Sequence, residues 1–269
     1  MYKRLLIIST IALIILIISH VRYYYRITDK IAINQIADFD ASKFTPLIES
    51  KNPLIITNFT QLNNTIDLDF EILNNNLDKK ITFYNSDPFV FPEKQETSTI
   101  LQFNKKFMAA SQTVSLFMKP DLLSQFEIEL PDITNQLFGP LDLFVNSSLS
   151  ISKEFSKTGL MSHSYNRFFL HIIQGSSTVY LFSPKQEPFL YKTSNPNYHN
   201  FKSSQVNPWK LEPTKYPDYS KAEYIELTLT AGQILYIPPH WWFYIYEKTD
   251  SLSLQYFSHN IYTKISNYF

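Results

Sequence analysis

Six histidines, 24 aspartates and glutamates and no cysteine are the metal-binding and acid–base repertoire of this 269-residue chain. The absence of thiols excludes disulfides, thiolate metal centres and a cysteine nucleophile. Imidazole and carboxylate remain as donors. His163, His171 and His240 lie in or beside apolar, strand-like sequence. His163 and His171 fall near opposite ends of one strand, and His240 follows a Pro-Pro pair that puts it at a strand's edge. These three histidines build either a relocated metal site or separate hydrogen-bonded structural positions. Trp241, Trp242 and Phe243 follow directly; such rings stack on a sugar or peptide, or fill a core. Ser164, Asn166 and Arg167 form a candidate polar cluster, with a loop-entry hydrogen-bond network as the bland alternative. Spacing pairs none of Asp38, Asp40, Glu127, Glu129 and Glu226 into an acid–base couple, and "FEIEL" at 126–130 is alternation with its acids toward solvent. The chain holds no G-x-S-x-G, phosphate loop or His-Glu-x-x-His.

The elements that must hold these residues are mostly strands. "RFFLHIIQGSSTVYLFSP" predicts strands over 167–173 and 178–182 joined by a tight turn, Gln174-Gly175-Ser176-Ser177. "EYIELTLT", "GQILYIPP", "WWFYIYE" and "SLSLQYFSH" predict four more, bounded by turn signals. Strands at this close spacing argue for a small barrel or sandwich rather than βαβ units. Earlier sequence mixes helical periodicity with a short strand at Leu54–Ile56, and Pro120, Pro131 and Pro140 cut the middle into short helices and turns. With 22 Phe, 18 Tyr and only 4 Gly, the core is expected to be large and aromatic. The formal charge is zero, so no basic excess exists to neutralise nucleic-acid phosphates.

"KRLLIISTIALIILIISHVRYYYR" opens the chain. Its apolar run over residues 5–21, about 17 residues, covers roughly 25 Å as a helix, at the short end for a bilayer. Tyr23, Tyr24 and Tyr25 suit an interfacial belt, and no A-x-A-like site follows the run. The expectation is an uncleaved single-pass membrane anchor with linker over 1–29, then one domain over 30–269. A cleaved signal and a core helix are the competing readings. Lys and Arg flank the run on both sides, so the membrane and the orientation stay open. Sequons at Asn58, Asn63 and Asn146 occur at about chance frequency and give no address.

"KNPLIITNF", "RFFLHIIQGSSTVYLFSP", "ELTLTAGQILYIPPHWWFYI" and "SLSLQYF" together resemble the cupin-like, JmjC-type branch of the 2-oxoglutarate/Fe(II) oxygenases, particularly the group containing the asparaginyl hydroxylases. The likeness covers most of residues 30–260. It implies a mainly β fold, a double-stranded β-helix (cupin or jelly-roll barrel) with an N-terminal helical portion. The family binds Fe(II) through His-x-Asp/Glu and a distant His, leaving open positions on the metal. Counting back from Gly175, the resemblance puts the first His at Ser162 and the carboxylate at Ser164; a register slipped by one gives His163, with Tyr165 as the acid. The distant His falls at Phe243 and the co-substrate's Lys at Ser177. Phenylalanine cannot ligate a metal, and serine hydroxyls are poor ligands for Fe(II). The resemblance therefore implies a degenerate oxygenase fold with no metal or cofactor, acting as a binding or scaffolding module with a protein partner. The alternative is a divergent hydroxylase using Fe(II) and 2-oxoglutarate at a relocated site on His163, His171 and His240.

Overall fold

The computed structural model describes residues 2–24, 31–59, 78, 80–85, 94–102, 105, 115–118, 134–140, 142–193, 201–261 and 263. Helix α1 spans Tyr2–Tyr24. Strand β1 (Asn34–Asp38), helix α2 (Ala41–Glu49), β2 (Leu54–Asn58), β3 (Lys80–Asn85), β4 (Lys94–Thr99) and β5 (Ser115–Met118) follow. The C-terminal half supplies β6 (Leu143–Ser152), β7 (Met161–His163), β8 (Arg167–Gln174), β9 (Ser176–Phe182), β10 (Lys192–Thr193) and β11 (Phe201–Ser204). It ends with β12 (Ile225–Thr230), β13 (Ile234–Ile237), β14 (Trp242–Glu247) and β15 (Ser251–His259).

Among the described residues these strands form two sheets, ordered β1-β2-β13-β8-β15-β6-β5-β3-β4 and β10-β11-β7-β14-β9-β12. Only β1–β2 is parallel among the described pairs. From β7 to β9 and from β12 to β15, consecutive strands switch sheets, which is the path of a jelly roll. Strands 167–174 and 176–182 are present but are not a hairpin, because β8 pairs with β13 and β15 while β9 pairs with β12 and β14. The turn expected over 174–177 shortens to Gly175, a corner between sheets with φ 88°. A Cβ there would lie 2.3 Å from the carbonyl oxygen of Asp250, so both the conformation and the close approach demand glycine.

The main core lies between the sheets and includes Phe168, Leu170, Ile172, Val179, Leu181 and Ile245. Period-2 alternation sends Phe169 and His171 to the opposite face of β8, where Phe44 of α2 stacks on Phe169 at 6.1 Å. Asp40 caps α2 by accepting from the backbone N–H of Ser42 at 3.0 Å. A second cluster, with Leu160, Phe182, Trp242 and Tyr244, fills the outer face of the six-stranded sheet.

Among the described residues no helix is long and apolar enough to cross a membrane, so the span expected over 5–21 is not a structural finding. The described side chains of α1 include residues 6–18. Those side chains are exposed, from Leu6 at 71% to Ile18 at 48%. Glu127, Glu129, Asn63, Tyr25 and the helices and turns expected around Pro120 and Pro131 lie outside the described residues.

Candidate functional site

The wall that would carry a metal is built by the short pairing of β7 with β14. Trp242 pairs with Ser162 and Phe243 with Met161, and cross-strand partners share a face. Phe243 and Trp241 belong to the interior cluster, while Trp242 belongs to the outer one. Ser162 therefore points away from the barrel interior, on the face opposite Phe243. His163 points inward: its ring lies 4.8 Å from Phe168, 5.7 Å from Tyr165 and 6.2 Å from Phe243. The structure thus brings together His163, Tyr165 and Phe243, the slipped register, and does not bring together Ser162 and Phe243. Ser164 lies half-buried beyond the end of β7.

His163 is 1% exposed. Its Nε2 lies 3.2 Å from the carbonyl of Ile237, and its Nδ1 has no hydrogen-bond partner. Burial first, and then the nearby charge of His240, push its pKa down to about 3. The imidazole is neutral at physiological pH. Burial likewise holds the Tyr165 phenol above its ordinary range, so it stays protonated. The donor set is one imidazole, one phenol and a hydrocarbon ring. A facial triad for Fe(II) needs two imidazoles and a carboxylate; the residues present do not fit the iron that the resemblance implies.

Four residues along β14 from Phe243, and on the same face, stands Glu247. It pairs with Ser177 of β9, whose hydroxyl donates to the Glu247 carboxyl. Burial lifts the pKa of Glu247 to about 7, opposed by hydrogen bonds from Ser177 and Ser251. The position matching the co-substrate's Lys therefore presents a hydroxyl tied to an acid. A dicarboxylate would meet a carboxyl where the family offers an ammonium, so 2-oxoglutarate does not fit either.

Among the described residues His171 and His240 complete no metal-binding group with His163. His171 is 0% exposed and lies across β8 from the interior, edge-on to Phe59 at 6.2 Å and flanked by Ile234 and Leu254 on neighbouring strands. Neither ring nitrogen has a hydrogen-bond partner, and burial lowers its pKa to about 4. His240 occupies the turn between β13 and β14 with φ 66°, and its backbone N–H donates to the His163 carbonyl at 2.9 Å. Its pKa falls to about 4, by burial first and then by Lys202 and Lys51 against the opposing pull of Glu187. Among the described residues no group of three or more His, Asp or Glu could hold a metal ion.

The aromatic pair is core. Trp241 and Trp242 are among the largest fully buried side chains, and their indole N–H groups donate to the Lys51 carbonyl and to Glu187, at 3.2 and 3.4 Å. That burial corrects the ligand-stacking alternative for both. Asn166 and Arg167 are equally committed. Arg167 Nε lies 2.9 Å from the buried Asp142 carboxylate, which also accepts from Asn166 and Ser258 at 2.5 and 2.6 Å. Glu226 is exposed on β12. Sequence reasoning missed Glu247, although alternation along "WFYIYE" puts it on the face of Phe243.

Comparison with known proteins agrees with this architecture. A segment of the human HSPB1-associated protein 1 is 34% identical over 82 residues, covering 30% of this chain and 17% of that protein. JmjC domain-containing protein D of Dictyostelium discoideum is 38% identical over 86 residues, 32% of this chain and 19% of its own length. Lysine-specific demethylase JMJ30 of Arabidopsis thaliana is 26% identical over 174 residues, 62% of this chain and 39% of that protein. The chain thus spans well under half of each of these relatives. The family model described as "Cupin-like domain" matches residues 41–264. The chain belongs to the cupin-like domain family.

Proposed function

We propose that this chain is a non-catalytic binding or scaffolding module: a cupin-like barrel without oxygenase chemistry, tethered at a membrane and engaging a protein partner. The observation that carries the proposal is the placement of Phe243 on the interior wall, its ring against His163, where the family motif calls for imidazole. Tyr165 at the carboxylate position and the Ser177–Glu247 pair at the co-substrate position support the same reading.

Tethering rests on α1. Its exposed Leu and Ile side chains over residues 6–18 each gain about 1.5–3 kcal/mol on leaving water, and a lipid phase is the environment that supplies this. The protein partner rests on analogy, since the human relative is named for association with HSPB1. A divergent hydroxylase is the competing reading. It needs His163, His171 and His240 in one site, and β8 lies between the first two.

Calorimetric titration of the full chain in nonionic detergent with 2-oxoglutarate, under anaerobic Fe(II), tests the proposal. The expected result is no saturable heat and no co-substrate turnover. Turnover that His163→Ala abolishes would overturn it and establish the hydroxylase.

A further inference from the structure

The outer face of the six-stranded sheet carries an aromatic cluster remote from the barrel interior. Tyr180 of β9 and Tyr244 of β14 stack at 4.5 Å. Trp209, from the segment after β11, stands edge-on to Tyr244 at 5.0 Å and is inclined 41° to Tyr246 at 5.7 Å. Its indole N–H donates to the Thr158 carbonyl at 3.0 Å, which fixes the ring plane. Into the angle between Trp209 and Tyr246 comes Lys157, bridged to Tyr246 through the backbone. Its Nζ lies 5.1 Å from the Trp209 ring centre and 5.9 Å from that of Tyr246. Phe155 completes the edge, stacked on Tyr246 at 6.3 Å. It is 58% exposed and held at φ 62°, a left-handed conformation disfavoured for a residue with a side chain.

We propose that the Trp209–Tyr246 cleft is a binding site for a quaternary ammonium group, with Lys157 as its resident stand-in. Two indole and phenol faces inclined toward one point attract a cation through their quadrupoles. The contacts described for the Lys157 ammonium are these two rings. An ammonium carries three N–H donors that ring faces satisfy poorly, whereas a trimethylammonium group has none and is weakly hydrated. The cleft therefore suits the quaternary cation better than the lysine filling it. The exposed Phe155 stacks on Tyr246 and extends the aromatic surface of the cleft. The site stands whether or not the barrel interior binds iron.

Trp209 fluorescence reports on the cleft, because Trp241 and Trp242 are fully buried. The test titrates the full chain with choline chloride at constant ionic strength, with 3,3-dimethyl-1-butanol as the neutral isostere. Wild type should saturate weakly with choline. Lys157→Ala, which empties the cleft, should bind about tenfold more tightly, and Tyr246→Leu, which keeps the Trp209 reporter, should weaken binding in that background. The isostere should give no saturable change. A gain of affinity cannot come from misfolding, so Lys157→Ala keeps the test decisive. Absence of saturable choline binding in Lys157→Ala, or equal binding of the isostere, would overturn the proposal and leave Lys157 as a packing contact.

Discussion

Inside the barrel the hydroxyl of Ser177 on β9 donates to the carboxyl of Glu247 on the paired strand β14. The acid faces the same lumen as Phe243 and His163, and the β7–β14 register sets this carboxyl about 20 Å along the strand direction from the neutral His163 imidazole. Neither end holds the cation or the metal triad that oxygenase chemistry requires.

Glu247 gives the barrel a defined pH dependence. Its folded pKa is raised from 4.5 to about 7, so its contribution is most favourable below 4.5 and is lost as pH rises through 7. Glu247→Gln keeps a hydrogen-bonding group without the charge. It should raise stability by about 1–3 kcal/mol at pH 8 and leave it nearly unchanged at pH 4. Urea midpoints at the two pH values check this. A variant less stable than wild type at pH 8 would contradict it.

His171 acts on the acid side. Its pKa is lowered from 6.5 to about 4 by burial, so its neutral form supports the fold above 6.5 and that support fades as pH falls through 4. His163 and His240 shift in the same direction. Because neither nitrogen of His171 is hydrogen-bonded, His171→Leu should stabilise the protein by about 1–2 kcal/mol at pH 7, and more at pH 5. Thermal melts at both pH values test this, and a lower Tm would show that the ring has a polar role.

Much of this was legible in the sequence. The apolar runs flanked by Gly and Pro located β8, β9 and β12–β15, and the motif order pointed to the family. The sheet each strand joins was not legible, because two strands flanking a glycine read as a hairpin whether they pair with each other or cross between sheets. The metal register failed for a related reason. Counting residues from Gly175 fixes position along the chain, but the β7–β14 pairing decides which side chains face inward, and a shift of one residue reverses the face. Glu247 was overlooked because its partner Ser177 is 70 residues away in sequence.

Asp142 anchors the entry to β8. Its carboxylate is buried and accepts from Arg167, Asn166, Ser258 and the backbone N–H of Gly139. Asp142→Ala strands the Arg167 guanidinium beside the core and should cost about 3–5 kcal/mol, measured as the loss in urea-unfolding free energy. A loss below about 1 kcal/mol would mean that solvent replaces the network.

The inward-facing register makes a constructive prediction. His163 lies beside both Tyr165 and Phe243, so Tyr165→Asp with Phe243→His supplies the missing carboxylate and second imidazole. The double variant should bind Fe(II) or its redox-stable substitute Co(II), with the d–d spectrum of cobalt reporting nitrogen and oxygen ligands. Ser162→His with Ser164→Asp and Phe243→His, the other register, should not, because residue 162 faces away from the lumen. The reverse outcome would refute the assignment of faces.

Metal content of the native chain tests the central claim most directly. After anaerobic incubation of the full-length protein with excess Fe(II) and removal of free metal, iron per chain is measured by elemental analysis. A barrel whose interior wall presents His163, Tyr165 and Phe243 retains far less than one iron per chain, unchanged by His163→Ala. One tightly held iron per chain, lost in His163→Ala, would contradict it.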